Sequence, residues 1–178
     1  NNMKIFMTSN MQLGRPSAIG KWKRPFDNVN QMDDTLINNW NKIVTNDDIV
    51  YHLGNFAWDP KTAYDSMLRL KGKKFYILGE NDQPLIDLAN KNNIPKNNKI
   101  IADIFLEKNV KAVLAYYPLK EWLFKNKGYW HIVGFPNRKH KTIPKSKMIN
   151  CSVDQCNYKP QDINSMIGLL DEIKNEKN

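Results

Sequence analysis

Histidine and cysteine are scarce in this chain, with three His and two Cys among 178 residues. Cys151 and Cys156 have four residues between them, a spacing that matches no redox or zinc word. No second pair exists to complete a metal site, so free thiols in a reducing compartment are expected. No run of about 18 apolar residues occurs, nor a charged segment followed by an apolar one. Neither a membrane span nor secretion is expected, and the cytoplasm of a bacterial or phage-infected cell is the expected compartment. Linkers, repeats and low-complexity tracts are also missing, which points to one domain over residues 3–174, with Met3 read as the natural start. Acidic side chains are the minority, 18 Asp+Glu against 27 Lys+Arg, for a net charge of +9. That excess favours anionic partners such as nucleic acid, nucleotides or an acidic protein surface. A solvated lysine-rich surface in a protein from an AT-rich genome is the alternative.

What is present reads as an α/β chain. Residues 3–8 form a short apolar run, a buried first strand ending at Ser9 and Asn10. Residues 15–30 read as a loop. Met32, Leu36, Trp40 and Ile43 then recur at helical spacing, with Asp33 and Asp34 in the first turn. Residues 49–53 are a second strand. Asp59-Pro60 starts a helix, with Asp as N-cap and Pro in the first turn, and Ala63, Met67 and Leu70 make its buried stripe. Gly72 ends it, and residues 75–78 are the next strand. A short helix is expected over 84–90, and strands over 100–106, 110–115, 130–133 and 147–153. A closing helix over 161–174 places Ile163, Met166, Ile167, Leu170 and Ile173 on one face. Strands alternating with helices imply a layered α/β fold, with ligand-bearing loops at the C-terminal ends of strands.

Five short words sit at those strand ends. They are Thr8-Ser9-Asn10-Met11-Gln12-Leu13-Gly14, Tyr51-His52-Leu53-Gly54-Asn55-Phe56, Gly79-Glu80-Asn81-Asp82, Tyr116-Tyr117-Pro118-Leu119 and Gly134-Phe135-Pro136-Asn137. Further words are Arg24-Pro25-Phe26, the stretch from Met32 to Trp40, and a tail carrying Asn150, Val153, Asp154, Asn157, Tyr158 and Pro160. In order and spacing the set resembles the calcineurin-like metallophosphoesterases, especially the small bacterial and phage type, which read T-S-D-x-H-x-G, Y-H-L-G-D-F, G-N-H-D, H-Y-P-L and G-H-x-H. The resemblance covers almost the whole chain. It implies a four-layer α/β sandwich of two packed mixed sheets flanked by helices.

It also implies a site that has been emptied. In that family two divalent ions about 3.5–4 Å apart activate a water and clamp phosphoryl oxygens. The metal-ligand positions carry Asn10, Gln12, Asn55, Glu80, Tyr116, Phe135 and Asn137 here. An amide offers one neutral carbonyl oxygen, a tyrosine ligates strongly only when deprotonated, and Phe135 has no donor atom. Asn81 stands where the family has a histidine, and an amide supplies no acid–base chemistry near neutral pH. No dinuclear centre and no catalytic residue is expected. Glu80 and Asp82 are residual candidates for a single Mg or Mn ion. Against that, Asp82 is read as capping the next helix and Glu80 as solvated or paired with a lysine. His52 and His131 are read as satisfied core residues and His140 as exposed.

Two basic segments should border the old crevice. One holds Arg15, Lys21, Lys23 and Arg24, with Trp22 as a base-stacking candidate. The other runs over 138–147 and opens with Arg138, Lys139 and Lys141. These residues are the candidate anion-binding set. Three functions remain open: a pseudoenzyme acting as a binding or scaffold protein for a host protein or nucleic acid, a phosphoesterase with an atypical metal site, and a metal-free nucleotide- or nucleic-acid-binding module.

Overall fold

The computed structural model describes residues 2–136 and 142–176. Four parallel strands, β1 (Ile5–Thr8), β2 (Ile49–Leu53), β3 (Lys73–Ile77) and β4 (Asn98–Ile100), form one sheet with a two-residue antiparallel strand, β9 (Gln161–Asp162), beside β1. The second sheet begins with β5 (Ile104–Glu107), antiparallel to β6 (Ala112–Ala115). β7 (Trp130–Val133) and β8 (Met148–Asn150) continue it in parallel. The architecture is α/β, two mixed sheets flanked by helices.

Side-chain alternation sorts each strand between two cores. Phe6 on β1, Val50 on β2 and Tyr76 on β3 face the helices α2 (Val29–Ile43), α3 (Pro60–Arg69) and α4 (Gln83–Asn90). Their neighbours Met7, Tyr51 and Ile77 face the second sheet and meet Leu114, Ile132 and Ile149. The last helix, α5 (Ile163–Glu176), adds Ile163 to that inter-sheet core. Tyr51 also donates its hydroxyl proton to Glu107 across the sheets. All four residues of β1 are buried, as expected for a parallel strand covered on both faces. The outer face of the second sheet is covered at His131 by residues 116–129. Among the described residues the regular structure of that segment is one 3₁₀ turn, Lys125–Lys127. His131 accepts from the Leu119 N–H at 2.9 Å and faces the Val113 carbonyl at 2.8 Å, so Nδ1 carries the proton.

Several boundaries differ from the sequence reading. The 15–30 loop contains a five-residue helix, α1 (Ser17–Lys21). Helix α2 starts at Val29, capped by Asn28, so Asp33 and Asp34 fall beyond its first turn. Asp33 instead accepts the Gly14 N–H at 3.0 Å, and burial pushes its carboxyl up to about 6. Ile43 is 40% exposed, and Ile37 takes its place in the core. The apolar run at 100–106 divides between β4 and β5, which belong to different sheets. Asn150 ends β8, and Val153–Gln155 turns as a 3₁₀ helix. Asp59 and Pro60 start α3 as their types dictate, with the Asp59 carboxylate accepting the Thr62 N–H at 2.8 Å.

His52 is buried but not satisfied: among the described residues neither ring nitrogen has a hydrogen-bond partner, and neither does Oγ1 of Thr8, its register neighbour on β1. The ring packs instead against Phe56 and Tyr76, with centroids 5.1 and 6.1 Å away. Burial drives its pKa from 6.5 down to about 3. The unfolded chain therefore binds a proton at His52 that the folded chain refuses, and stability must fall as pH drops below 6.5 toward 3. The slope is about 1.4 kcal/mol per pH unit. Asp33 acts in the opposite sense, because its raised carboxyl holds a proton that the unfolded chain releases. Urea midpoints measured from pH 4 to pH 7 should show a shallower acid loss in His52→Leu than in wild type; equal slopes would contradict a buried, neutral His52.

Candidate functional site

The C-terminal ends of β1, β2, β3, β6 and β7 all point to one crevice. Asn10 and Gln12 follow β1, Asn55 follows β2, Glu80 follows β3, Tyr116 follows β6 and Phe135 follows β7. The backbone is drawn in tightly there. Asn10 donates its N–H to the Gly54 carbonyl at 2.8 Å, and Gln12 to that of Asn55 at 3.0 Å. Asn10, Gln12 and Asn55 hold φ values of 56°, 55° and 60°, left-handed conformations that asparagine tolerates and glutamine rarely adopts. Strained backbone of this kind concentrates at functional sites. A Cβ at Gly54 would overlap the Tyr116 ring, and one at Gly134 would overlap the Leu53 carbonyl. Glycine at these two positions is what lets the sheets' loops approach.

The side chains at the centre close on one another. Asn10 Oδ1 accepts from Gln12 Nε2 at 2.8 Å and from Asn55 Nδ2 at 3.3 Å. Asn55 Nδ2 also donates to the Tyr116 hydroxyl at 3.0 Å, and Asn55 Oδ1 accepts the Asn81 N–H at 3.0 Å. On the other side Asn10 Nδ2 donates to Asp154 at 2.9 Å. Asp154 is clamped by Arg24 through Nε at 2.8 Å and a terminal nitrogen at 2.9 Å. The remaining Arg24 N–H groups reach the carbonyls of Asn10 and Met11.

Asp82 occupies the N-cap position of α4, but its side chain makes no capping bond. Its carboxylate turns back and accepts the N–H groups of Asn55, Phe56 and Gly79 at 2.7, 2.8 and 2.6 Å. Burial raises its pKa, and those three bonds pull the other way. Glu80 is exposed and accepts the Tyr117 hydroxyl at 2.7 Å, so its partner is a phenol rather than a lysine. Burial raises the Tyr116 pKa first of all, and the hydroxyl stays protonated. Phe135 packs against Tyr116 and Tyr117, with ring centroids 5.5 Å away in each case.

Asn55, Glu80, Asn81, Tyr116, Phe135 and Asp154 line a cavity of about 520 Å³ together with Lys21, Trp22 and Lys23, while Asn10 and Gln12 are buried and outside its lining. The candidate anion-binding set is thus split. Lys21 and Lys23 are exposed and reach the cavity. Arg24 is a correction: its side chain has no exposed surface and its donors are spent on Asp154 and two carbonyls, so it meets no external anion. Arg15 stacks 4.1 Å from the Trp58 ring centroid and donates to Ser17 and Gln12, away from the cavity lining. Trp22 has Lys21, Arg24 and Arg15 at 4.8, 5.4 and 5.5 Å from its ring centroid, so cations already share its π-system. Asn137, Arg138, Lys139, His140 and Lys141 lie outside the described residues. The sequence reading passed over Asp154 and Ser152 as site residues, although both line the cavity, as does Asn81. A signal for Asp154 existed, since a tail aspartate and the Arg24-Pro25-Phe26 word belong to one pattern.

The fold and the convergence of loops at strand C-termini define the class: an α/β two-sheet protein with one crevice above its parallel strands. No family model matches the chain. It is 30% identical over 179 residues to the uncharacterized protein MJ1445 of Methanocaldococcus jannaschii, a match spanning 96% of this chain and 93% of that protein. The chain belongs to the family of MJ1445. Among solved structures it is similar to the protein of unknown function AQ665 from Aquifex aeolicus, with a TM-score of 0.69 and 21% identity. That match covers 94% of this chain and all of the other, and at that identity it shows the fold alone.

The centre depends on Asn55 being an amide. Asn55→Asp keeps the shape and tolerates the same left-handed backbone, but replaces a donor facing Asn10 Oδ1 with an acceptor. Loss of stability of about 1–3 kcal/mol is expected at neutral pH. The loss should shrink on acidification, because burial raises the new carboxyl and its protonated form donates again. Denaturant titrations at pH 5 and pH 8 check this, and an equal penalty at both would contradict the assigned amide orientation.

Proposed function

We propose that this chain is a metallophosphoesterase-type sandwich whose dinuclear site has given way to a hydrogen-bonded amide network. It works as a metal-free binding protein through that crevice. The reading is carried by the hydrogen-bonded chain Gln12–Asn10–Asn55–Tyr116, which joins groups at the positions the resemblance assigns to metal ligands. A metal pair needs anionic and imidazole donors with free lone pairs. The described residues do not fit that need. The oxygens of Asp82 already take three backbone N–H groups, Arg24 neutralises Asp154, and Glu80 stands alone. A single Mg or Mn ion on Glu80 and Asp82 would have to break the bonds that hold the β2 and β3 loops together. Acid–base chemistry has no support at the crevice either, since Asn81 is an amide and Tyr116 holds its proton.

The crevice is built to receive an anionic partner rather than a cation. Lys21 and Lys23 line it beside the amides of Asn55 and Asn81, and of its two carboxylates Asp154 is neutralised by Arg24 while Glu80 is not. Such a partner is a nucleotide, a nucleic acid or an acidic protein surface.

Protein stripped with EDTA and titrated calorimetrically with Mn²⁺ should show no pair of micromolar sites. It should leave bis-p-nitrophenyl phosphate intact in millimolar Mn²⁺. Two bound ions per chain, with ester turnover lost in Glu80→Ala, would overturn the reading.

A further inference from the structure

We propose that the crevice binds a nucleoside monophosphate without metal, the base lying on the Tyr116–Phe135 wall and the phosphate on Lys21 and Lys23. The inference rests on the metal-free reading above and names its ligand. Size is the first argument. A cavity of about 520 Å³ is of the size that holds a small ligand and is mostly open at one side. It accommodates one nucleotide.

Chemistry sorts around the cavity in the way such a ligand requires. Phe135 is half-buried and packs on Tyr116 with the rings inclined at 73°, and Pro136 extends the same apolar wall. A planar base finds π-surface there whatever its identity. Opposite the wall, the Lys21 ammonium lies 4.8 Å from the Trp22 ring centroid. Lys23 follows at a left-handed turn, φ 51°, that reverses the chain beside the cavity. Neither lysine is ion-paired among the described residues. Of the nearby carboxylates Asp154 is neutralised by Arg24, whereas Glu80, which also lines the cavity, keeps its charge while accepting the Tyr117 hydroxyl. Two lysines without an ion-pair partner among the described residues suit one phosphate dianion.

Donors and acceptors for the base edge or ribose sit between wall and lysines. The Asn81 side-chain amide makes no hydrogen bond among the described residues, where its backbone N–H is held by Asn55. The Tyr116 hydroxyl accepts from Asn55, which leaves its own proton for a ligand. Inorganic phosphate would leave the aromatic wall uncovered. A long polyanion would need a track of cations, and among the described residues Arg24 is sealed against Asp154 and Arg15 lies outside the cavity lining.

Calorimetry on EDTA-treated protein with AMP, GMP, CMP and UMP tests the proposal, with adenosine and inorganic phosphate as partial ligands. At least one monophosphate should bind about tenfold more tightly than either partial ligand, since base and phosphate each contribute. The Lys21→Ala/Lys23→Ala double variant should weaken it by about tenfold or more, and raising salt should weaken it further. Both lysines are exposed, so the fold survives; circular dichroism checks this. Phe135→Leu should weaken the monophosphate while leaving inorganic phosphate unchanged. No binding of any monophosphate, or phosphate binding as tightly as the best of them, overturns the proposal. Binding that appears only with Mn²⁺ and ends in hydrolysis sinks the metal-free reading as well. Absence of binding with and without Mn²⁺, and of turnover, sinks this inference alone.

Discussion

Arg24 carries a permanent charge on a side chain with no exposed surface, and a buried cation without an anion is among the costliest things a fold can contain. Asp154 meets that need from 130 residues away. The pair does more than neutralise itself. Through Asp154 it fixes the Asn10 amide, and through the Arg24 contacts to Asn10 and Met11 it holds the loop after β1 in its left-handed path. Everything at the crevice is oriented from there, because Asn10 Oδ1 then faces Gln12 and Asn55 as an acceptor. Asp82 performs the matching task on the other side, tying the ends of β2 and β3 with three backbone bonds.

Asp154 and Asp82 thus both hold protein, while Glu80 remains an exposed carboxylate at the cavity. This sets the chemical character of the crevice. Carboxylates that are already coordinated by an arginine or by backbone N–H groups lend little negative potential to the cavity. The exposed lysines line the cavity together with the exposed carboxylate of Glu80. Hydrogen bonds among Gln12, Asn10, Asn55 and Tyr116 order the side chains beside it.

Much of the fold was legible along the chain. Asp59-Pro60 announced a helix start because a carboxylate and a fixed φ satisfy the same terminus. The apolar residues in 3–8 announced a buried strand because they are consecutive rather than alternating, although the strand is Ile5–Thr8 and Met3 and Lys4 are exposed. The placement of Asn10, Asn55, Glu80, Tyr116 and Phe135 at one crevice was also readable from their positions after strands. Less was readable where neighbours far away decide. The apolar stretch over 100–106 looked like one strand because local pattern cannot show that it crosses from one sheet to the other. His52 looked like an ordinary satisfied core residue, yet its ring nitrogens face Phe56 and Tyr76 rather than a polar group.

The same division holds for the crevice. Residue types by themselves determined that the strand ends carry amides, a phenol and a phenyl ring, weaker donors toward a divalent cation than carboxylate and imidazole. Only the tertiary structure decided what the charged residues do. Arg24 and Lys23 are neighbours in sequence with the same sign of charge, but one is sealed against Asp154 and the other stands open at the cavity. Charge belongs to the residue, whereas availability depends on which partners the fold brings within hydrogen-bonding distance.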